Sequence, residues 1–270
     1  MEDKQPAQAA SVAPDTSSGV AVLDRAFAIL GAFGPTDERL SLTELSRRTG
    51  LYKSTVLRLL AALEHGGYIR KLDDGQYAIG PEPLRLAAIY QRSFRVGPVI
   101  EPLLEQVSRE LGETSSFYVR QGDQRLVLYR VEPARAVRVS IGVGDAFPID
   151  RGASGKLLRA FTEPGDERWN EVRARLWAAS YGERDAETAS ASVPVFGATG
   201  ELVGALTLSG PKQRLAAAPT MYAAVATLLK VARQATAVLG GNGARYDQGI
   251  AQLSMEQVMA SGAIGAGDAD

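Results

Sequence analysis

One short stretch concentrates side chains that can do chemistry. From position 41 to 60 the chain reads Ser-Leu-Thr-Glu-Leu-Ser-Arg-Arg-Thr-Gly-Leu-Tyr-Lys-Ser-Thr-Val-Leu-Arg-Leu-Leu. Val56, Leu59, Leu60 and Leu63 recur at helical spacing, which puts Ser54, Arg58, Ala61 and His65 on the opposite stripe with Lys53 and Thr55 beside it. Short hydroxyls, one forked guanidinium and no bulk are what contact with base edges and phosphates requires. Between 47 and 71 six basic residues (Arg47, Arg48, Lys53, Arg58, Arg70, Lys71) stand against one acidic residue, Glu64, although the whole chain carries a net charge of −1. Positive charge is concentrated where the motif is. Ser41, Thr43, Arg48, Tyr52, Lys53, Ser54, Thr55, Arg58, Arg70 and Lys71 are the candidate contacts to double-stranded DNA.

A second set of polar residues lies far downstream. Ser154 and Gly155 open an expected helix after a glycine-rich turn, where free backbone amides can hold a carboxylate. Thr207 and Ser209 alternate on one expected strand, and Ser190 and Ser192 on its expected neighbour. Four hydroxyls at period two among apolar residues suit a small polar ligand. A half-exposed sheet face without any ligand would read the same way.

No catalytic constellation emerges. Gly152-Ala153-Ser154-Gly155 fails as a nucleophile elbow because Lys156 stands where the second glycine belongs. Gly155-Lys156 fails as a phosphate loop because Asp150 and Leu157 replace the required glycine and hydroxyl. The single histidine, His65, ends the candidate DNA-contacting helix, and there are no cysteines. Neither a Ser-His-Asp triad nor a histidine or thiolate metal site can be assembled. Asp73-Asp74 is explained by a turn. The expectation is a chain that is not an enzyme and carries no cofactor or metal.

The elements that must position these residues are also legible. Ser41 and Glu44 have capping-box spacing, Leu42 and Leu45 give an apolar face, and Gly50 sits at a sharp bend. Upstream, Leu23, Ala26, Phe27, Leu30 and Phe33 follow helical spacing from Ser17-Ser18. Downstream, Gly66-Gly67 stops the second motif helix, 68–72 alternates as a strand, Asp73-Asp74-Gly75 turns, and 76–79 returns. Three helices and a hairpin make a winged helix-turn-helix.

Beyond Pro81 the pattern predicts helices over 84–92 and 98–111, strands over 115–120, 126–131 and 137–143, and helices over 153–161 and 167–177. Strands over 189–196 and 202–209 and a long helix over 220–239 follow. Helices flanking an antiparallel sheet make an α+β domain. At 270 residues the chain has room for two domains. We expect a disordered leader over 1–18, a winged domain over 19–81, a second domain over 82–241 that includes a linker helix, and a tail over 242–270. The tail, glycine-rich near its end, is expected to be mostly disordered with one helix near 254–259. No apolar run reaches the length of a membrane span, so a cytoplasmic protein without membrane contact is expected.

These motifs together resemble the IclR family of bacterial transcription regulators over about 19–240. Val22-Leu23-Asp24-Arg25-Ala26-Phe27-Ala28-Ile29-Leu30 matches the first helix, Thr49-Gly50-Leu51-Tyr52-Lys53-Ser54-Thr55-Val56-Leu57-Arg58-Leu59-Leu60 the turn and recognition helix, and Gly67-Tyr68 with Tyr77-Ala78-Ile79-Gly80 the wing. Phe147-Pro148-Ile149, Gly152-Ala153-Ser154-Gly155-Lys156-Leu157-Leu158, Val193-Pro194-Val195-Phe196 and Leu206-Thr207-Leu208-Ser209-Gly210-Pro211 follow in family order. The chain departs at Ser46, where alanine is usual, and at Tyr52, where proline is frequent. The resemblance implies a profilin- or GAF-like second domain that binds a small organic-acid effector and changes operator affinity. It assigns Ala153, Ser154, Ser190, Thr207 and Ser209 to the effector pocket, where Gly155 joins them through its helix-start amide, and Val139 and Phe147 to its apolar wall. Arg184 or Asp185, in the loop 182–185, would cap the ligand or make a solvated turn. The basic patch of one winged domain is small, so two copies are needed for specificity and a homodimer built on the first and linker helices is expected; the resemblance implies that effector domains can pair such dimers into tetramers. The alternative is a constitutive DNA-binding regulator whose second domain only oligomerises.

Overall fold

The structure, a computed structural model, describes residues 18–34, 36–94 and 96–263. All but the last residue of the expected leader and the final seven residues of the tail lie outside that range. The chain divides into two compact units, one ending at Tyr90 and the other beginning at Gln91.

The first unit contains α1 (Ala21–Gly31), α2 (Leu42–Thr49), α3 (Lys53–His65), β1 (Ile69–Lys71), β2 (Tyr77–Ile79) and most of α4 (Glu82–Phe94). Ser41 is extended and its Oγ accepts the Glu44 N–H at 3.2 Å, the expected cap of α2. Such a cap is worth about 1 kcal/mol. Gly50 closes α2 at φ 68°, a left-handed conformation that glycine adopts without a Cβ penalty. Ser46 then explains its departure from alanine: its Oγ donates to the Leu51 carbonyl at 2.6 Å and ties the turn between the helices. Ile29, Leu40, Leu45, Val56, Leu60, Ile69 and Tyr77 form the core. Leu40 also bridges to Tyr77, so the hairpin is anchored to the chain ahead of α2.

Helix α1 turns differently from the expected face. Ile29 is fully buried and Leu30 and Phe33 pack beside it, but Leu23 and Phe27 are exposed. The helix carries a second apolar stripe, and α2 and α3 cover only the one centred on Ile29. Helix α4, assigned by sequence to the second domain, lies with the first unit as far as Tyr90.

The second unit holds α5 (Gly97–Leu111), β3 (Thr114–Gln121), β4 (Gln124–Val131), β5 (Ala146–Pro148), α6 (Gly152–Thr162), α7 (Asn170–Arg175), β6 (Ala178–Tyr181), β7 (Thr188–Phe196), β8 (Leu202–Pro211), α8 (Lys212–Leu215), α9 (Ala218–Val238), α10 (Asp247–Gln252) and α11 (Met255–Ala263). Its six strands run antiparallel in the order β5-β4-β3-β8-β7-β6. Residues from alternate positions enter two apolar clusters. Phe117, Val193, Leu206 and Leu208 pack with α5 and α9, whereas Tyr118, Ala178 and Ala205 pack with Leu157 and Leu158 of α6.

One irregularity sets the chemistry of the α6 face. In β4, Tyr129 pairs with Phe117 but Val127 pairs with Tyr118, so Leu128 is an extra residue. A bulge reverses the in-out alternation along the strand. Leu126, Leu128 and Tyr129 therefore join the α5–α9 core, while Val127 faces α6. Arg125 and Arg130, five apart, share the α6 face. Cross-strand register extends this polar surface: Ser180, Ser190, Ser209 and Thr114 form one row, and Ser192, Thr207, Ser116 and Arg130 the next.

Three expectations need correction. The 137–143 segment alternates like a strand but forms none, because Gly142 and Gly144 curl it into a turn and its Val139 carbonyl accepts the side chains of Thr114 and Arg130. The 167–177 helix is shorter, a single 3-10 turn followed by α7, which ends at Leu176 with φ 62°; the following residues become β6. The described part of the tail, as far as residue 263, is ordered. A 3-10 turn (Gly243–Tyr246), α10 and α11 bury Tyr246, Leu253 and Val258 against the second unit. Tyr246 donates to the Pro194 carbonyl at 2.6 Å and pairs with Thr236 Oγ1 at 2.9 Å. Three apolar anchors offset the ordering of a segment whose composition suggests none. Among the described residues no helix is long and apolar enough to cross a membrane.

Candidate functional site

Helix α3 buries Val56, Leu59 and Leu60, which turns Lys53, Ser54, Arg58, Ala61 and His65 to the exposed side, with Thr55 half-buried. Tyr52 precedes the helix at φ −63° and ψ 142° with its ring 85% exposed. That φ is the one proline enforces, so tyrosine keeps the backbone of the usual residue and adds a free aromatic ring. Thr43, Arg70 and Lys71 are also exposed, and the Ser41 hydroxyl is engaged in its cap.

Arg48 is a correction. Its guanidinium pairs with Asp37, donates to Glu44 at 2.7 Å and donates to the Ala32 carbonyl at 2.8 Å. Arg47 is held by Glu44 at 2.6 Å. Hydrogen bonds from Arg47 and Arg48 hold the Glu44 carboxyl down at about 2, and Arg48 with the Gly34 N–H lowers Asp37. Both carboxylates stay charged and neutralise the arginines of α2. Arg48 ties α2 to the segment after α1, with its charge already engaged by Asp37 and Glu44. Lys53, Arg58, Arg70 and Lys71 remain without a carboxylate partner among the described residues. Helix α3 presents two of these four cations and the wing the other two.

The second unit encloses a cavity on the α6 face. Ala153, Ser154, Ser190, Thr207 and Ser209 lie together in its lining, with Gly152, Tyr118, Arg125, Ser180, Arg184, Thr188 and Ala189. Its free space is about 20 Å³, enough for one water. Ser192 faces the same side, but its Oγ is paired with Thr207 Oγ1 at 2.8 Å.

Four sequence candidates do other work. Gly155 is a spacer: a Cβ there would overlap the Ile149 carbonyl and lie 2.6 Å from Arg125 Nη1. Val139 uses its carbonyl to anchor Thr114 and Arg130, and its side chain does not reach the cavity. Phe147 lies outside the lining, with its ring 5.8 Å from the Arg125 guanidinium and 5.1 Å from that of Arg184. Asp185 makes a turn, accepting the Glu187 N–H at 3.0 Å, and is exposed. The start of α6 also differs from expectation, because Glu183 already accepts the Gly152 N–H at 3.1 Å and pairs with Lys156.

Arg125 is the residue that sequence reasoning missed. It is 2% exposed, its Nε has no hydrogen-bond partner, and Nη1 donates to the Arg151 carbonyl. No carboxylate among the described residues lies within ion-pair distance. Burial pulls its pKa down and the nearby Arg184 charge adds to that, while Tyr118, Asp150 and Glu183 oppose it from a distance. Nothing local in Gln-Arg-Leu-Val-Leu marks it, since an arginine beside a turn reads as solvent-facing.

Comparison with known proteins decides the family. The family model described as the IclR helix-turn-helix domain matches residues 22–73. The model described as Bacterial transcriptional regulator IclR C-terminal matches residues 90–170 and 166–237, more than half the chain. This chain belongs to the IclR family. Within it, an HTH-type transcriptional regulator of Mycobacterium tuberculosis is 36% identical over 151 residues, covering 55% of this chain and 57% of that protein. The regulator BhcR of Paracoccus denitrificans is 26% identical over 234 residues, covering 77% of this chain and 84% of its own. The match thus spans little more than half the length of the first relative and most of the second. An IclR homolog of Microbacterium hydrocarbonoxydans, solved with 4-hydroxybenzoate, shares the fold at a TM-score of 0.66 and 24% identity, covering 81% of this chain and 98% of its own. The IclR models stop at residue 237, so α10 and α11 lie beyond the part that defines the family.

Proposed function

We propose that this IclR-family chain is a transcriptional regulator that binds operator DNA through α3 and the wing, with its affinity changed by a small organic acid bound in the α6-face cavity. The observation that carries the effector half is the buried cavity, where a guanidinium and helix-start amides meet two rows of hydroxyls on an otherwise apolar sheet. Polar groups are placed there at a cost to folding, as in sites kept for a ligand. The 4-hydroxybenzoate bound by the Microbacterium homolog supports the same class of effector. The DNA half rests on the four unpaired cations, the exposed hydroxyl of Ser54 and the half-buried Thr55 beside it.

The regulator works as a homodimer in the cytoplasm. Exposed Val22, Leu23 and Phe27 on α1 and Leu84, Leu86 and Ile89 on α4 give the first unit more bare apolar surface than a DNA contact uses. A dimer reads two half-sites about 10 bp apart or a multiple of that. Sedimentation at micromolar concentration should give at least a dimer, and a stable monomer with and without DNA would contradict this.

The deciding experiment selects an operator from random duplexes and titrates it with wild type and with the Thr207→Ala/Ser209→Ala variant, each with and without acids. Effector coupling of about 1–3 kcal/mol appears as a shift of roughly 5- to 150-fold in operator affinity. The double variant should lose the shift and keep the operator affinity. A full response in the variant would refute the pocket assignment. An operator affinity that no acid changes would favour the constitutive reading.

A further inference from the structure

The cavity contains a buried charge with no carboxylate in contact: Asp150 and Glu183 act on Arg125 only from beyond ion-pair distance. Arg125, the second residue of β4, pairs with Arg120 and shares the α6 face with Val127, and the Leu128 bulge brings Arg130 to the same face. Gly155 leaves the space its guanidinium occupies. Its contacts are one backbone carbonyl and two aromatic rings, Tyr118 and Phe147, each 5.8 Å away. The other buried arginine, Arg130, differs in having Glu132 at 2.9 Å. A buried guanidinium without a carboxylate is costly, and a bound anion removes the cost.

The neighbours fit the same occupant. Arg151, at the N-cap of α6, offers no side-chain cap, and Ala153 and Ser154 in the first turn line the cavity. Glu183 holds only the Gly152 amide. The amides that follow belong to the turn that attracts negative charge. Arg184, exposed among the lining residues, forms no ion pair among the described residues and sits over the Phe147 ring.

We propose that Arg125 is the anchor and charge selector of the effector site, gripping the carboxylate of the organic acid between its guanidinium and the first turn of α6. This rests on the effector reading above and names the residue that decides which molecules qualify. The rest of the acid lies along the hydroxyls of Ser190, Thr207 and Ser209, so acids with a hydroxyl or carbonyl at the far end are preferred. Because the free space is about 20 Å³, the acid enters as the exposed Arg184 side chain moves aside.

The test uses the full chain, its thermal midpoint, and a panel of acetate, pyruvate, lactate, benzoate and 4-hydroxybenzoate with the corresponding amides. Acids that bind the native state raise the wild-type midpoint, and their amides do not. Arg125→Met removes the charge and keeps an apolar side chain. Its unliganded midpoint should equal or exceed that of wild type, and acid affinity should fall about ten- to hundred-fold. Arg125→Lys keeps the charge without the fork and should be intermediate. Equal shifts from acids and amides, or full acid binding by Arg125→Met, would overturn the anchor and leave the effector reading standing. If no acid moves the wild-type midpoint, the effector reading fails and the anchor with it. Should Arg125→Met unfold, Arg125→Lys decides: weakened acid binding at a wild-type midpoint supports the anchor, and unchanged binding refutes it.

Discussion

Deleting residues 242–270 tests whether the ordered tail is part of the second unit or an appendage. Tyr246 is fully buried and stands in a polar relay. The Phe196 N–H donates to Thr236 Oγ1 at 3.1 Å, the Thr236 hydroxyl pairs with Tyr246, and Tyr246 donates to the Pro194 carbonyl. Truncating a buried aromatic costs about 3–5 kcal/mol. In a domain of this size each kcal/mol moves the midpoint by about 2–4 °C. The deletion should therefore lower the midpoint of the second unit by at least about 6 °C, and more once Leu253 and Val258 are counted. Tyr246→Phe isolates the relay: it keeps the ring and strands the Thr236 hydroxyl and the Pro194 carbonyl, costing about 1–3 kcal/mol. Calorimetry of the three proteins at one concentration reads both effects. A deletion variant with the wild-type midpoint would refute the reasoning, since a disordered tail predicts that result.

Arg58→Ala should weaken operator binding by about 1–3 kcal/mol and relax sequence preference at one position if the side chain reaches a base edge, read by competition among single-site operator variants. Lys53→Ala should weaken all duplexes alike and reduce the salt slope by about one, read by binding at several salt concentrations. Glu44→Gln tests the α2 ion pairs through pH. The folded value near 2 lies below the ordinary 4.5, so the stabilisation is complete above about 4.5 and is lost as pH falls toward 2. The variant should melt below wild type at neutral pH, with the gap closing as pH drops to 2; a constant gap would show that charge is not the cause.

How much could be read in advance depended on how local the deciding interaction is. The winged motif was legible because Ser41, Glu44 and Gly50 act within a few residues, and the α3 stripe follows from its own spacing. Ala153, Ser154, Ser190, Thr207 and Ser209 came together as the hydroxyl pattern and the family order had placed them. Arg125 was not legible, because its burial depends on the β3–β4 register that turns it to the α6 face and on Gly155 in another element. Arg48 looked like a phosphate contact because its partner Asp37 is eleven positions away. The 137–143 segment misled through its alternating valines, which meet no partner strand. Tyr246 was hidden in a glycine-rich neighbourhood, since its burial depends on Pro194 and Thr236.

The Leu128 bulge also changes how relatives of this chain should be compared. In a regular strand two side chains share a face only at even separations, yet Arg125 and Arg130 share one at a separation of five. A relative that lacks the extra residue would have to carry its arginines four or six apart to present the same pair. Counting identities column by column would score such a relative as having lost Arg125. The property to compare in this part of the family is therefore the parity of the strand, with residue identity read only after the bulge has been located.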